Sequence, residues 1–191
     1  MRRTSLALSA LFFAITLSPA HPARGQANAP QQKTAQQLDL EGVWMGYEGE
    51  WHHTTYQLLA LAQAIPEKDY AWRPSPGVRS TSEVFMHIVE TNYWLLSIAG
   101  QPAPPDLKNN AEKTVTSKAD VIAWLQRSLE AVRAAHLKET PDHLAKRVHV
   151  ADRTTTVDGI YLRLIVHADE HMGQLIAYSR MNGVVPPWSA K

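Results

Sequence analysis

The fold turns on residues 157 to 183, VDGIYLRLIVHADEHMGQLIAYSRMNG. Val157, Ile160, Leu164, His167, His171, Leu175 and Tyr178 recur at intervals of three and four, the period that puts side chains on one face of an α-helix. Thr155 or Thr156 offers a hydroxyl to cap the start. Asn182-Gly183 marks the end, because glycine accepts the left-handed C′ conformation, and Pro186-Pro187 forbids continuation. A helix with one inward stripe needs other elements to cover it, so the rest of the chain must supply partners.

Three more helical stretches lie upstream. Residues 41 to 64 place Trp44, Tyr47, Trp51, Leu58 and Leu61 at helical spacing, and Pro66 follows them. The connection PEKDYAWRPSPGVRS ends at Ser80, which with Glu83 forms a Ser-x-x-Glu capping box and predicts a helix from about Thr81 to Ala99. Here Val84, His87, Thr91, Trp94 and Ile98 share a face expected to point inward. Ser117 with Asp120 repeats the capping pattern, and a helix to about Lys138 follows. The segment TPDHLAKRVHVADRTTT alternates briefly and predicts an irregular or strand-like piece. Four helices of roughly 18 to 26 residues predict an all-α, four-helix bundle.

The bulk numbers agree with one such domain. The chain has 191 residues, 45% of them hydrophobic, enough for a single core. Residues 1 to 27 read as a secretory signal peptide: Arg2 and Arg3, an apolar run from Leu6 to Leu17, then small-residue cleavage sites at Ala20 or Ala27. The run is too short for a membrane anchor. Arg-Arg-Thr-Ser-Leu also resembles a twin-arginine signal, so Sec and twin-arginine export both stay open. Residues 28 to 38 are polar and read as a flexible tether, which leaves the domain at 39 to 191. The expected product is exported, periplasmic or secreted, with no stable membrane insertion after processing.

Cleavage after Ala27 removes Arg2, Arg3 and Arg24 and no acid, leaving sixteen basic against eighteen acidic residues, a net charge of −2. That balance argues against nucleic acid as a partner and leaves a small-molecule substrate as the expectation. The chain has no cysteine, so a metal here must be held by His, Asp or Glu.

His167 and His171 supply such ligands. Histidines at i and i+4 project side by side about 5 to 6 Å apart at Cβ, close enough to converge on one ion. His87 on the second helix faces the same seam. A single inward histidine is most often a hydrogen-bonded core residue, and three such residues in a plain structural bundle are the bland reading. Each would then need its own partner or cost about 1 to 3 kcal/mol. One divalent ion satisfies all three and keeps a fourth coordination position for water or substrate, the catalytic rather than the closed structural arrangement.

Other metal motifs fit less well. His167-Ala-Asp-Glu-His171 matches the H-x-x-E-H of inverzincin proteases, but no acid follows among the last twenty residues. A di-iron bundle wants Glu-x-x-His on two helices, and Glu50-Trp-His-His53 alone has that spacing. His52 and His53 are expected at the solvated surface, and His136, His143 and His149 form no pattern. Glu90 and Glu170 each lie one turn beyond a candidate ligand. Either is a surface charge, a group orienting an imidazole, or a catalytic base toward water activated by the ion.

Together these residues resemble the DinB-like metal-binding bundles. The likeness spans most of 41 to 189 and is carried by the Pro66 to Ser80 connection, by His87, by His167-x-x-x-His171-Met172-Gly173-Gln174-Leu175, and by Arg180-Met181-Asn182-Gly183-Val184-Val185-Pro186-Pro187. Many members carry His-His-Arg-Gly-Gln where Glu170 and Met172 flank His171 in this chain. The resemblance implies an up-down-down-up topology, a homodimer, and a divalent metal, zinc or nickel, on His87, His167 and His171. It also implies a metal-dependent hydrolase or a transferase using a low-molecular-weight thiol. The alternative is a non-catalytic metal-binding or stress-associated module.

Overall fold

The computed structural model describes residues 46–189. The signal peptide, the tether and the first residues of the first predicted helix lie outside the described residues. Four long helices make the body: α1 (Gly46–Ala64), α2 (Thr81–Ile98), α3 (Lys118–His136) and α4 (Val157–Met181). Two one-turn helices, Ala111–Thr114 and Pro141–Leu144, interrupt the connections on either side of α3.

The helix starts are where the side-chain oxygens predict them. Ser80 accepts from the Glu83 backbone N–H while Glu83 accepts from the Ser80 N–H, a complete capping box. Ser117 and Thr156 accept from the N–H of Asp120 and Gly159. Each hydroxyl or carboxylate satisfies a donor that a helix N-terminus leaves without an intrahelical partner. Gly183, just past α4, has φ +75° and takes the left-handed position expected of it. At the other end of α1, Lys118 Nζ donates to the Gln63 and Ile65 carbonyls at 2.8 and 2.7 Å, tying the C-terminus of α1 to the start of α3.

α2 packs against both α3 and α4, and so does α1, which places α1 across the bundle from α2. The core between them holds Trp51, Leu58 and Leu61 from α1, Phe85, Met86 and Ile88 from α2, Leu125 from α3, and Ile160, Tyr161 and Leu164 from α4. Two polar side chains drawn into it bond across helices. Trp51 Nε1 donates to the Leu129 carbonyl at 3.2 Å, and Asn92 Nδ2 donates to Ser128 Oγ at 3.2 Å.

The segment before α4 forms an antiparallel hairpin, β1 (Arg147–Val150) with β2 (Arg153–Thr156), in register from Arg147 opposite Thr156 to Val150 opposite Arg153. This is the strand-like piece that the alternation predicts. The inward face assigned to α2 needs correction. Val84 is buried, but Trp94 is 51% exposed and His87 half-buried. The residues that α2 commits to the core are instead Phe85, Met86, Ile88, Val89, Asn92, Tyr93, Leu95 and Leu96. Packed by two helices at once, α2 buries more than one stripe, and the predicted stripe flanks a cleft. No helix among the described residues is long and apolar enough to cross a membrane.

Candidate metal centre

Two helices bring three imidazoles together. His167 and His171 stand one turn apart on α4, and His87 meets them from α2. His87 Nε2 lies 3.2 Å from His167 Nε2, and one ligand-capable atom from each ring falls within 4.8 Å of the others. The ring planes meet at 61°, 86° and 76°, so they converge by their edges and do not stack face to face. Two imidazole nitrogens sharing one tetrahedral ion at about 2.1 Å would lie roughly 3.4 Å apart, close to the observed pair.

The protonation states suit a cation. Burial first, then the charges of Arg79 and His171, push the His87 imidazolium down to about 4. Burial, His171 and His87 push His167 down to about 3. Both rings are therefore neutral at pH 7 and present a lone pair. His167 is buried, and its Nδ1 has no hydrogen-bond partner in the protein. Three imidazoles with converging edges, those of His87 and His167 neutral, fit a divalent metal, and the donor set excludes none of the nitrogen-preferring ions.

The outer nitrogens of the other two rings are held. His87 Nδ1 lies 3.4 Å from Glu112 Oε2, and His171 Nδ1 lies 2.9 Å from Gln174 Oε1. The two supports belong to one network. Arg79 Nε donates to Glu112 Oε1 at 3.0 Å. The Arg79 carbonyl accepts from Tyr178 Oη at 3.2 Å, and that hydroxyl accepts from Gln174 Nε2 at 2.8 Å. An unbroken polar path thus runs from one imidazole around to another. It selects the Nδ1–H tautomer and leaves Nε2 facing inward, the arrangement common around bound metals.

The sequence reading reaches part of this. The structure brings His87, His167 and His171 together. Glu90 and Glu170 fall outside that ligand group, although the Glu170 carboxylate is near enough for His167 and His171 to act on it. Glu170 Oε1 and Oε2 take both Arg163 Nη atoms, at 3.1 and 2.8 Å, and the carboxylate is half exposed. Glu90 Oε1 accepts from the Glu112 N–H at 3.1 Å, anchoring the one-turn helix that delivers Glu112 to His87. His52 and His53 are half-buried rather than solvated and lie outside the triad. His136 pairs with Glu48 at 2.6 Å and His143 with Glu139, both structural contacts. Glu112 was missed because its one-turn helix lies in a long connection whose sequence shows no periodicity. Gln174 and Tyr178 carried a usable signal, since residues three and four apart on a helix are neighbours.

A cleft of about 420 Å³ opens beside the triad, lined by His87, Thr91, Trp94 and Leu95 on one side and by the hairpin and the start of α4 on the other. Among the described residues no carboxylate lines it.

Comparison with known proteins completes the description. The sequence model of the DinB superfamily matches residues 50–175. The chain belongs to the DinB superfamily. Among solved structures, it is similar to a DinB-like protein from Bacillus cereus ATCC 10987, with 20% identity and a TM-score of 0.63 over 74% of this chain and 94% of the other. That likeness concerns the fold. A search of curated proteins finds no significant match. Within the DinB superfamily match fall His87, His167, His171 and Gln174, and also Glu112, which the sequence motifs left unmarked.

Proposed function

We propose that this DinB protein holds a divalent metal, zinc or nickel, on His87, His167 and His171 and uses it on a small molecule that enters the adjoining cleft. The observation that carries the reading is the convergence of three imidazoles, two of them oriented by Glu112 and Gln174. A divalent cation there supplies a Lewis acid that lowers the pKa of a thiol or a water molecule reaching it.

The protein's own groups favour thiol transfer over hydrolysis. Glu90 accepts from the Glu112 backbone, Glu170 is paired with Arg163, and neither carboxylate lines the cleft. A general base must sit within hydrogen-bond reach of its proton, directly or through one water. Thiols ionise far more readily than water and need the least help from a protein base. The lack of a lining carboxylate among the described residues favours the second reading, a non-catalytic metal-binding module, while the 420 Å³ cleft favours a substrate.

Elemental analysis of the exported protein tests the centre. One zinc or nickel per chain is expected, and none in a variant carrying His87→Ala, His167→Ala and His171→Ala. Equal, negligible metal in both would end the proposal. Substitution with cobalt(II) and titration with 2-mercaptoethanol then tests the reaction class. A near-ultraviolet charge-transfer band supports thiol chemistry, and its absence rejects it.

A further inference from the structure

The walls of the cleft define what it takes. On α2, the Trp94 indole stands 51% exposed, with Leu95 beneath it. Facing them are Ile160 of α4 and Val150 of the hairpin. An exposed indole costs hydration that a flat apolar ligand would recover, and large aromatic surfaces are favoured anchors for small molecules. Gly159 keeps this wall close: a Cβ there would fall 2.2 Å from Thr155 Oγ1.

The charged lining has one sign. Arg153 and Arg163 border the cleft, and among the described residues no acid does. The two arginines differ in their engagements. Both Nη atoms of Arg163 are taken by Glu170. Arg153 meets its neighbour Asp152 at 3.8 Å, and the two side chains are 86% and 89% exposed, so that contact leaves the guanidinium donors for another partner. The hairpin register brings Arg153 opposite Val150, at the turn, where the side chain can swing over the mouth.

We propose that the cleft binds a flat apolar molecule bearing a single carboxylate, with its ring system against Trp94 and its carboxylate on the Arg153 guanidinium. A planar fork of N–H donors matches a carboxylate bidentately, and an indole face accepts an aromatic ring by offset stacking. The assignment rests on the reading that the cleft serves the metal centre, and it names the substrate class of that site.

Calorimetric titration of the zinc-loaded mature chain with 1-naphthylacetate and with its neutral isostere 1-naphthylacetamide tests it. The carboxylate should bind about fivefold tighter, the scale of a partly exposed arginine–carboxylate contact. Arg153→Gln should remove that preference while the acetamide affinity stays, and Arg153→Lys should restore part of it. Trp94→Ala should weaken both ligands. A carboxylate can also seek a bound cation, so a preference that survives Arg153→Gln overturns the assignment, as does failure of both ligands to bind or an unchanged affinity in Trp94→Ala. Metal content measured on the same samples separates the two readings. Normal zinc with no Arg153-dependent preference rejects the ligand class alone, while absent zinc rejects the centre.

Discussion

Glu112 and Gln174 hold the outer nitrogens of two site imidazoles, and their contribution is orientation. An imidazole whose Nδ1–H is fixed loses less rotational freedom when Nε2 takes a ligand, and removing such partners typically costs about 10- to 100-fold in metal affinity. Glu112→Ala should therefore weaken zinc binding by roughly tenfold in a chelator-competition titration, with the triad otherwise intact. An unchanged affinity would show that the 3.4 Å contact to His87 does not orient the ring. Glu170→Gln gives the contrast. Its carboxylate serves Arg163 in solvent, so zinc affinity should stay within twofold, about the scale of an exposed ion pair.

At the scale of the element, α2 is the helix whose ends and faces matter most. Its capping box satisfies donors at both Ser80 and Glu83. Ser80→Ala should lower stability by about 1 kcal/mol in urea unfolding without changing the slope. The box also carries a pH dependence. Burial by itself would raise the Glu83 carboxyl, but the Ser80 N–H, Arg73 and Lys113 outweigh it and hold the group below its ordinary 4.5. A carboxyl whose folded pKa is depressed stabilises the fold above its unfolded pKa, and that contribution is lost as pH falls through the folded value. Wild type should thus lose more stability than Glu83→Gln on acidification from neutral pH to below 4.5, read as midpoint shifts in denaturant. Parallel curves for the two proteins would assign the box no electrostatic part.

For the whole molecule, the site and the core are coupled because the triad spans α2 and α4. A ligand that binds the folded chain and not the unfolded one stabilises it by about 2.7 kcal/mol at a hundredfold excess over Kd. For a chain of this size that corresponds to a rise in Tm on the order of 5 to 10 °C on adding zinc, reversed by a chelator. The triple histidine variant should show no such rise. Core substitutions act elsewhere: Leu125→Ala, at a fully buried position, should cost about 2 to 5 kcal/mol while leaving zinc stoichiometry unchanged in whatever fraction stays folded.

Helix existence, the Ser80, Ser117 and Thr156 caps, the Gly183 stop and the pairing of His167 with His171 were all readable in the chain, because each depends on residues within one or two turns of one another. His87 could be matched to them through its family likeness and its place on α2. The support from Glu112, the relegation of Glu90 and Glu170 to Glu112 and Arg163, and the exposure of Trp94 were not readable. They depend on which helices become neighbours: α2 lies between α3 and α4, which widens its buried face and turns the Trp94 edge into a cleft wall. Local hydrogen bonds and helical period act over a few residues, whereas the partners of a side chain across the bundle are set by packing between segments some 25 to 80 positions apart, for which no local pattern exists.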